Sequence, residues 1–208
     1  MIRLFTALAI LVCGIITAQT KYEAGMEKAF ALWSEDKPTE AVALFERIGA
    51  AEKDNWLPYY YIALANTTEA FTTKDKEKIT GLLNKAQEAQ DKATMLSPDN
   101  AELLVMQAMI HTAWIAYDPM TNGMKLSGIV NQIYEKALKL APNNPRVVFC
   151  KAEFELGGAK YFGTDTAPIC EQIKKSLVLF ENFEPESPFH PKWGLDRAKA
   201  IAATCNEE

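Results

Sequence analysis

The sequence predicts an all-α domain built as a stack of antiparallel helical hairpins, and three observations lead to it. Its 208 residues suffice for one domain with a core, and 49% of them are hydrophobic against 24% charged. Ala, Leu, Lys and Glu are frequent while runs of β-branched residues are scarce, which favours helix over strand. A proline-containing joint also occurs twice, with Pro98 and Pro142 44 residues apart.

The two joints read "TMLSPDNAEL" and "KLAPNNPRV", and each closes one helix and opens the next. A proline ends the first helix because inside it the ring would remove a hydrogen bond and clash with the preceding turn. Asn144 then suits the N-cap and Pro145 the first helical position, and Asn100 suits the same cap one repeat earlier. Since one hairpin cannot bury both of its apolar stripes, we expect successive hairpins to stack. Alanines recur in step with the joints: Ala93 with Ala137, and Ala108 with Ala152.

Apolar periodicity, caps and prolines place the helices in four pairs followed by one last helix. The Gly-rich stretch "GGAKYFGTDTAP" is predicted as a turn ending in Thr166, which can cap the next helix. No strand is needed. The pairs are predicted at 22–34 with 38–51, 56–72 with 75–96, 101–117 with 126–141, and 145–159 with 167–183, and the last helix at 193–205.

Residues 1–18 are predicted to be a signal peptide that is cleaved after Ala18. A positive end at Arg3 precedes the apolar run "LFTALAILVCGII" and a small residue before the cut, which is the layout of such peptides. A retained anchor and a lipid attachment at Cys13 are alternatives, but the run is short for a bilayer and a bulky residue precedes Cys13. The mature chain, 19–208, is then a single exported helical domain, periplasmic or secreted, with no membrane span.

Charge and motifs restrict the classes of function. The formal net charge is −5, and an acidic surface without a basic stripe argues against nucleic acid as a partner. The chain lacks the H-E-x-x-H, G-x-S-x-G, phosphate-loop and Cys-x-x-Cys motifs. We therefore expect no catalytic site, no metal site and no cofactor, and we expect His111, in mid-helix, to be a core residue.

Three cysteines remain after cleavage, in a compartment that permits disulfides. If the helix at 167–183 and the last helix form an antiparallel hairpin, Cys170 and Cys205 lie at nearly equal distances from its centre. We therefore predict a Cys170–Cys205 disulfide, which would tie the C-terminus to the stack. A Cys150–Cys170 pairing and buried free thiols are the alternatives.

The joints carry a resemblance to a known family. "YEKALKLAPNNPRV" resembles the end of a tetratricopeptide repeat running into the next one, and "EAVALFERI" resembles the start of the second helix of that repeat. The family repeats about every 34 residues, whereas the period here is 44 to 45. The extra residues fall around "TTEAFTTKDKEK" and "YDPMTNGMKLSG", where we expect longer hairpins with larger turns. The likeness covers about 22–180 and is strongest at Ala137, Leu138, Pro142, Asn144 and Pro145.

With its signal peptide and "HPKWG" tail, the chain is similar to small exported tetratricopeptide-like proteins of Bacteroidota-type bacteria. The resemblance implies a right-handed stack with a C-terminal capping helix, whose first helices line a concave face that binds a protein or peptide. The alternative is that a short stack closes on itself and these inward residues are core. The inward slots include Glu102 and Arg146, and the apolar ones form the candidate groove: Met26, Phe30, Trp33, Tyr60, Leu64, Val105, Met109 and Phe149.

The stretch "ENFEPESPFHPKWG", 181–194, is the other candidate site. As a peptide-binding or metal-holding loop it offers a single histidine, His190, which is a poor metal site. The alternative is an extended crossing held by its prolines, in which Phe189 and Trp193 pin the last helix to the stack and His190 bonds a backbone group.

The leading hypothesis is a non-enzymatic exported protein that binds a protein or peptide partner through its concave face. The alternative is a small-ligand-binding protein, or an enzyme, with a pocket between the hairpin turns and the Pro-rich stretch 183–194.

Overall fold

The computed structural model describes residues 21–205, and the signal peptide predicted at 1–18 lies outside this range. Every regular element within the range is a helix, so the predicted all-α fold is confirmed. None of the described helices is long and apolar enough to cross a membrane. In chain order they are α1 (21–34), α2 (Pro38–Ala51), α3 (Leu57–Thr72), α4 (Lys76–Leu96), α5 (Ala101–Tyr117), α6 (Pro119–Leu140), α7 (Pro145–Phe162), α8 (Ala167–Glu181) and α9 (Leu195–Thr204).

The two proline joints lie between successive hairpins, as predicted. Pro98 follows the end of α4, and Pro142 follows the end of α6. The side chains of Asn100 and Asn144 accept hydrogen bonds from backbone N–H groups two or three residues further along the chain. These caps satisfy N–H groups that the first turn of a helix leaves without intrahelical partners.

The long repeat lengthens the helices rather than the turns, which corrects the prediction of larger turns. α6 begins at Pro119 instead of residue 126. The Asp118 side chain caps this helix by accepting a hydrogen bond from the N–H of Thr121, and proline suits the first helical position. The turn before α4 is also short, at residues 73–75, and Asp75 caps that helix in the same manner.

α7 also extends past its predicted end at residue 159, so most of the Gly-rich stretch is helical. Buried Ala159 keeps this part of the helix packed on its neighbours, which offsets the poor helix propensity of the two preceding glycines. The helix ends at Gly163, whose φ of 68° lies in the left-handed region that glycine adopts without strain.

Alanines at the repeated slots allow the helices to approach closely. Helices α3, α5 and α7 contact one another in a row, and each also packs against the helix that follows it. Small side chains at such contacts let the ridges of one helix enter the grooves of the next. The alanines at the repeated slots have at most 1% of their surface exposed: Ala63, Ala93, Ala108, Ala137 and Ala152.

The C-terminal helix is held by packing and by a covalent bond. α9 packs against α8, and the predicted disulfide joins Cys170 to Cys205, with the two Cα atoms 5.7 Å apart. Cys150 is a buried free thiol, and burial raises its pKa. The disulfide agrees with export, because such bonds persist in oxidising compartments.

Candidate functional site

Half of the residues predicted to line an open groove are interior residues. Met26, Tyr60, Val105 and Phe149 have at most 1% of their surface exposed. They cannot meet a partner, because each inward slot is filled by the neighbouring layer or by the chain that follows α8. Met109 is partly buried between the two main core clusters. Most residues of the predicted concave face are therefore not available to a partner. For these residues the alternative prediction, a closed core, holds.

The remaining three predicted residues, Phe30, Trp33 and Leu64, line a cleft of about 740 Å³. One wall is α1, the floor is α3, and the other wall is the proline-rich segment, which we define as residues 182–194. Most of the lining is aromatic or aliphatic. The full lining consists of Glu27, Phe30, Trp33, Ser34, Tyr61, Leu64, Pro188, Phe189, His190, Lys192 and Trp193.

Aromatic contacts hold the walls of the cleft against its floor. The rings of Phe30 and Phe189 stack with their centroids 6.1 Å apart and an interplanar angle of 12°. Tyr61 meets Phe30 edge to face at 4.6 Å, and Tyr22 meets Phe189 edge to face at 5.6 Å. Both arrangements are favourable for aromatic pairs, so the cleft has a preformed shape.

Three polar contacts fix the proline-rich segment on the helices. The Tyr61 hydroxyl donates a hydrogen bond to the carbonyl oxygen of Phe189 at 2.8 Å, and the indole N–H of Trp193 donates to the Tyr60 oxygen at 2.7 Å. Nε2 of His190 lies 3.7 Å from Oε1 of Glu102. Burial raises the pKa of both tyrosines, so their hydroxyls remain protonated. These contacts anchor the segment that leads into α9, which agrees with the prediction that Phe189 and Trp193 pin the last helix to the stack.

A buried ion pair lies beneath the segment and joins two successive hairpins. Glu102 of α5 has 2% of its surface exposed and Arg146 of α7 has none. Nε and Nη2 of Arg146 donate to the two carboxylate oxygens at 2.7 and 2.6 Å, and Nδ2 of Asn144 donates to Oε1 at 2.6 Å. The guanidinium also lies over the ring of Phe183, 4.5 Å from its centroid. Such bidentate pairing is the arrangement that makes a buried arginine and carboxylate compatible.

The surroundings of Glu102 set its protonation state. Burial alone raises its pKa, but the hydrogen bonds from Arg146 and Asn144, the positive charge of Arg146 and the nearby imidazole of His190 outweigh burial and lower the pKa to about 2. His190 faces this carboxylate and, at 3.9 Å, that of Glu186. The expectation that its side chain would bond a backbone group is therefore wrong, because α5 brings a carboxylate to that position.

Other candidate groups and depressions lie outside the aromatic cleft. Residues 21–205 contain no group of three His, Cys, Asp or Glu side chains that could hold a metal ion. His111 is half-buried beside Gln107, with its Nε2 3.2 Å from Nε2 of that amide, and burial lowers its pKa. A second depression, of about 580 Å³, is made by the single loop 51–56 and brings no distant elements together. The aromatic cleft is thus the better candidate site.

Two lining residues on helices, Glu27 and Tyr61, were not predicted to line a site, because the repeat pattern assigns one inward face to each helix. Lys192 belongs to the stretch 181–194 that was predicted as a candidate site. The run "PYYYIALAN" carried a signal, since adjacent tyrosines in a helix point in different directions. Tyr60 enters the core, while Tyr61 reaches the cleft.

Gly194 closes the proline-rich segment and is expected to be intolerant of a side chain. Its φ is 112°, and a Cβ atom there would lie 2.7 Å from Cζ of Phe180. We expect Gly194→Ala to lower the free energy of unfolding by about 1–3 kcal/mol through strain and clash. Urea denaturation followed by circular dichroism measures this. Gly157→Ala is the matched control, because nothing lies within 4 Å of that position; equal stability of the two variants would contradict the prediction.

Comparisons with known proteins give one structural likeness. No protein-family model matches the chain, and no curated protein sequence matches it significantly. The chain resembles the HusA haemophore from Porphyromonas gingivalis. The TM-score is 0.77 over 89% of this chain and 92% of that chain, at 24% sequence identity. At this identity the likeness establishes the helical fold, and the tetratricopeptide character stays a prediction.

Proposed function

We propose that this exported protein binds a flat, largely apolar small molecule of the tetrapyrrole class in the aromatic cleft and carries it without chemical change. The observation that supports this most directly is the cleft between α1, α3 and the proline-rich segment. Its volume of about 740 Å³ lies in the range of small-molecule sites. Its walls present the faces and edges of Phe30, Trp33, Phe189 and Trp193, which suit a planar ring system.

The structural neighbour supports the same class of ligand. That neighbour is a haemophore, and the likeness extends over nearly the whole of both chains. A binding role without catalysis agrees with the motifs that the sequence lacks. Because the inward slots Tyr60, Val105 and Phe149 are interior, a small ligand in the cleft explains the structure better than a protein or peptide on a concave face.

The side chains near the cleft fit the ring of a tetrapyrrole better than a metal at its centre. His190 is engaged by the carboxylates of Glu102 and Glu186, and the Tyr61 hydroxyl donates to a backbone carbonyl. Neither is free to ligate iron without breaking the contacts that hold the proline-rich segment. The proposed binding therefore depends on burial of the ring, and we expect the metal-bearing and metal-free rings to bind alike.

Titration of the mature chain with haemin and with protoporphyrin IX tests the proposal. Binding is followed by the change in the ligand's absorption and by quenching of tryptophan emission, since Trp33 and Trp193 line the cleft. Both ligands are expected to bind, and Trp33→Ala is expected to weaken both by about tenfold through loss of an aromatic wall.

Trp114→Ala is the matched control, because Trp114 lies outside the cleft lining and stacks edge to face on Tyr117. Circular dichroism establishes that each variant is folded. Absence of binding by the wild type, or equal weakening by the two tryptophan variants, would overturn the proposal.

A further inference from the structure

The charges at the rim of the cleft are unpaired and stand on opposite walls. Lys192 belongs to the proline-rich segment and Glu27 to α1, and both side chains are exposed. Within residues 21–205 neither residue forms an ion pair, with the other or with any other side chain. They are the lysine and the glutamate of the cleft lining, and the His190 side chain of the lining faces Glu102 instead.

The backbone of Lys192 is held in place although its side chain is free. His190 contacts Glu102, Pro191 is buried, and the indole of Trp193 is bonded to Tyr60. These anchors on both sides keep the base of the Lys192 side chain at the mouth of the cleft. An unpaired cation that starts beside an apolar surface, in a chain of net charge −5, is suited to meet an acidic group of a ligand.

We infer, building on the proposed function, that the cleft selects planar ring systems that carry carboxylates along one edge, and that Lys192 determines this selectivity. The ring is buried against Phe30, Trp33 and Phe189, and the acidic edge remains in water beside Lys192. Glu27, on the facing wall, repels a carboxylate and so orients the ring. Lys192 on the proline-rich segment attracts the carboxylate edge of the ligand, and Glu27 on α1 repels it. The ligand therefore has one preferred orientation in the cleft.

Opposite substitutions at the two walls should have opposite effects. A solvent-exposed ion pair is weak, so Lys192→Met should weaken binding of an acidic porphyrin only a few-fold, and Lys192→Glu by about tenfold. Glu27→Lys should tighten it a few-fold. These differences should shrink at high salt, because ions screen exposed charges over about 10 Å or less.

Protoporphyrin IX and its dimethyl ester, in matched dilute dimethyl sulfoxide, provide the test. The ester keeps the ring and loses the two negative charges, so its affinity should not change in Lys192→Glu or in Glu27→Lys. Lys199→Glu, an exposed charge reversal on α9 outside the cleft lining, is the matched control and should alter neither ligand.

The outcomes separate this inference from the proposed function. If the wild type binds neither the acid nor the ester, both fail. If it binds both ligands and Trp33→Ala weakens both, while Lys192→Glu affects acid and ester equally or no more than Lys199→Glu does, the selectivity inference alone is overturned. A tenfold loss confined to the acid, with the reverse change in Glu27→Lys, supports it.

Discussion

Replacing Arg146 with methionine is expected to lower the free energy of unfolding by about 3–5 kcal/mol. The change leaves Glu102, with 2% of its surface exposed, without the guanidinium that bonds both of its oxygens. The remaining hydrogen-bond donor, the neutral amide of Asn144, cannot compensate a full negative charge in the interior. Urea denaturation at pH 7, followed by circular dichroism, measures the loss.

Two comparisons make this result specific to the buried pair. The double variant Glu102→Gln/Arg146→Met removes both charges and should recover much of the loss. For a buried ion pair, the free energy of desolvating the two charges is about as large as the free energy of their attraction, so removing both costs little. Lys136→Met breaks an exposed pair with Asp99 and should cost less than about 1 kcal/mol. If Arg146→Met is as mild as Lys136→Met, the buried ion pair does not stabilise the fold as proposed.

The same pair makes the protein sensitive to acid. The pKa of Glu102 is about 2 in the folded chain against 4.5 for a free glutamate. A carboxyl whose folded pKa is lowered stabilises the fold above its unfolded pKa, and this stability is lost as the pH falls from 4.5 towards 2. The Glu102→Gln/Arg146→Met variant should therefore show a shallower decline of stability across that window than the wild type.

Removal of the disulfide is expected to have the second-largest effect. The Cys170–Cys205 bond closes a loop with a sequence separation of 35, so Cys170→Ser/Cys205→Ser should lose about 2–4 kcal/mol of stability. For a domain of this size the melting temperature should fall by about 5–15 °C. Thermal unfolding with and without dithiothreitol measures it.

Reductant provides the internal check. Wild type in dithiothreitol should melt like the double serine variant, while that variant should be insensitive to reductant. Cys150→Ala, which alters the free buried thiol, should keep the wild-type response to dithiothreitol. A wild-type melting temperature that reductant leaves unchanged would contradict the prediction, because the bond would then not constrain the unfolded chain.

Interactions between residues a few positions apart made most helix boundaries predictable, and the start of α6 is the exception. Asn100, Asn144 and the joint prolines act through neighbours a few residues away, so their roles could be read in the sequence. The start of α6 was missed because "DPMTNG" has the composition of a turn, whereas its aspartate and proline serve as a cap and a first helical residue. These residues are compatible with a turn and with the start of a helix, and the packing of α6 on α5 favours the helix.

By itself, the sequence determined the all-helical fold and the spacing of the hairpins, because caps and periodicity act over short stretches. It predicted the pairing of Cys170 with Cys205 but left two alternatives open, and the packing of α9 on α8 decided between them. Only the tertiary structure decided which inward residues form a surface. Tyr60 and Tyr61 are adjacent in the sequence and both are buried, yet Tyr61 lines the cleft and Tyr60 does not. The cause is the proline-rich segment, which meets these tyrosines across 128 to 133 residues of chain. Contacts at that separation depend on the whole stack being assembled, so no local pattern encodes them.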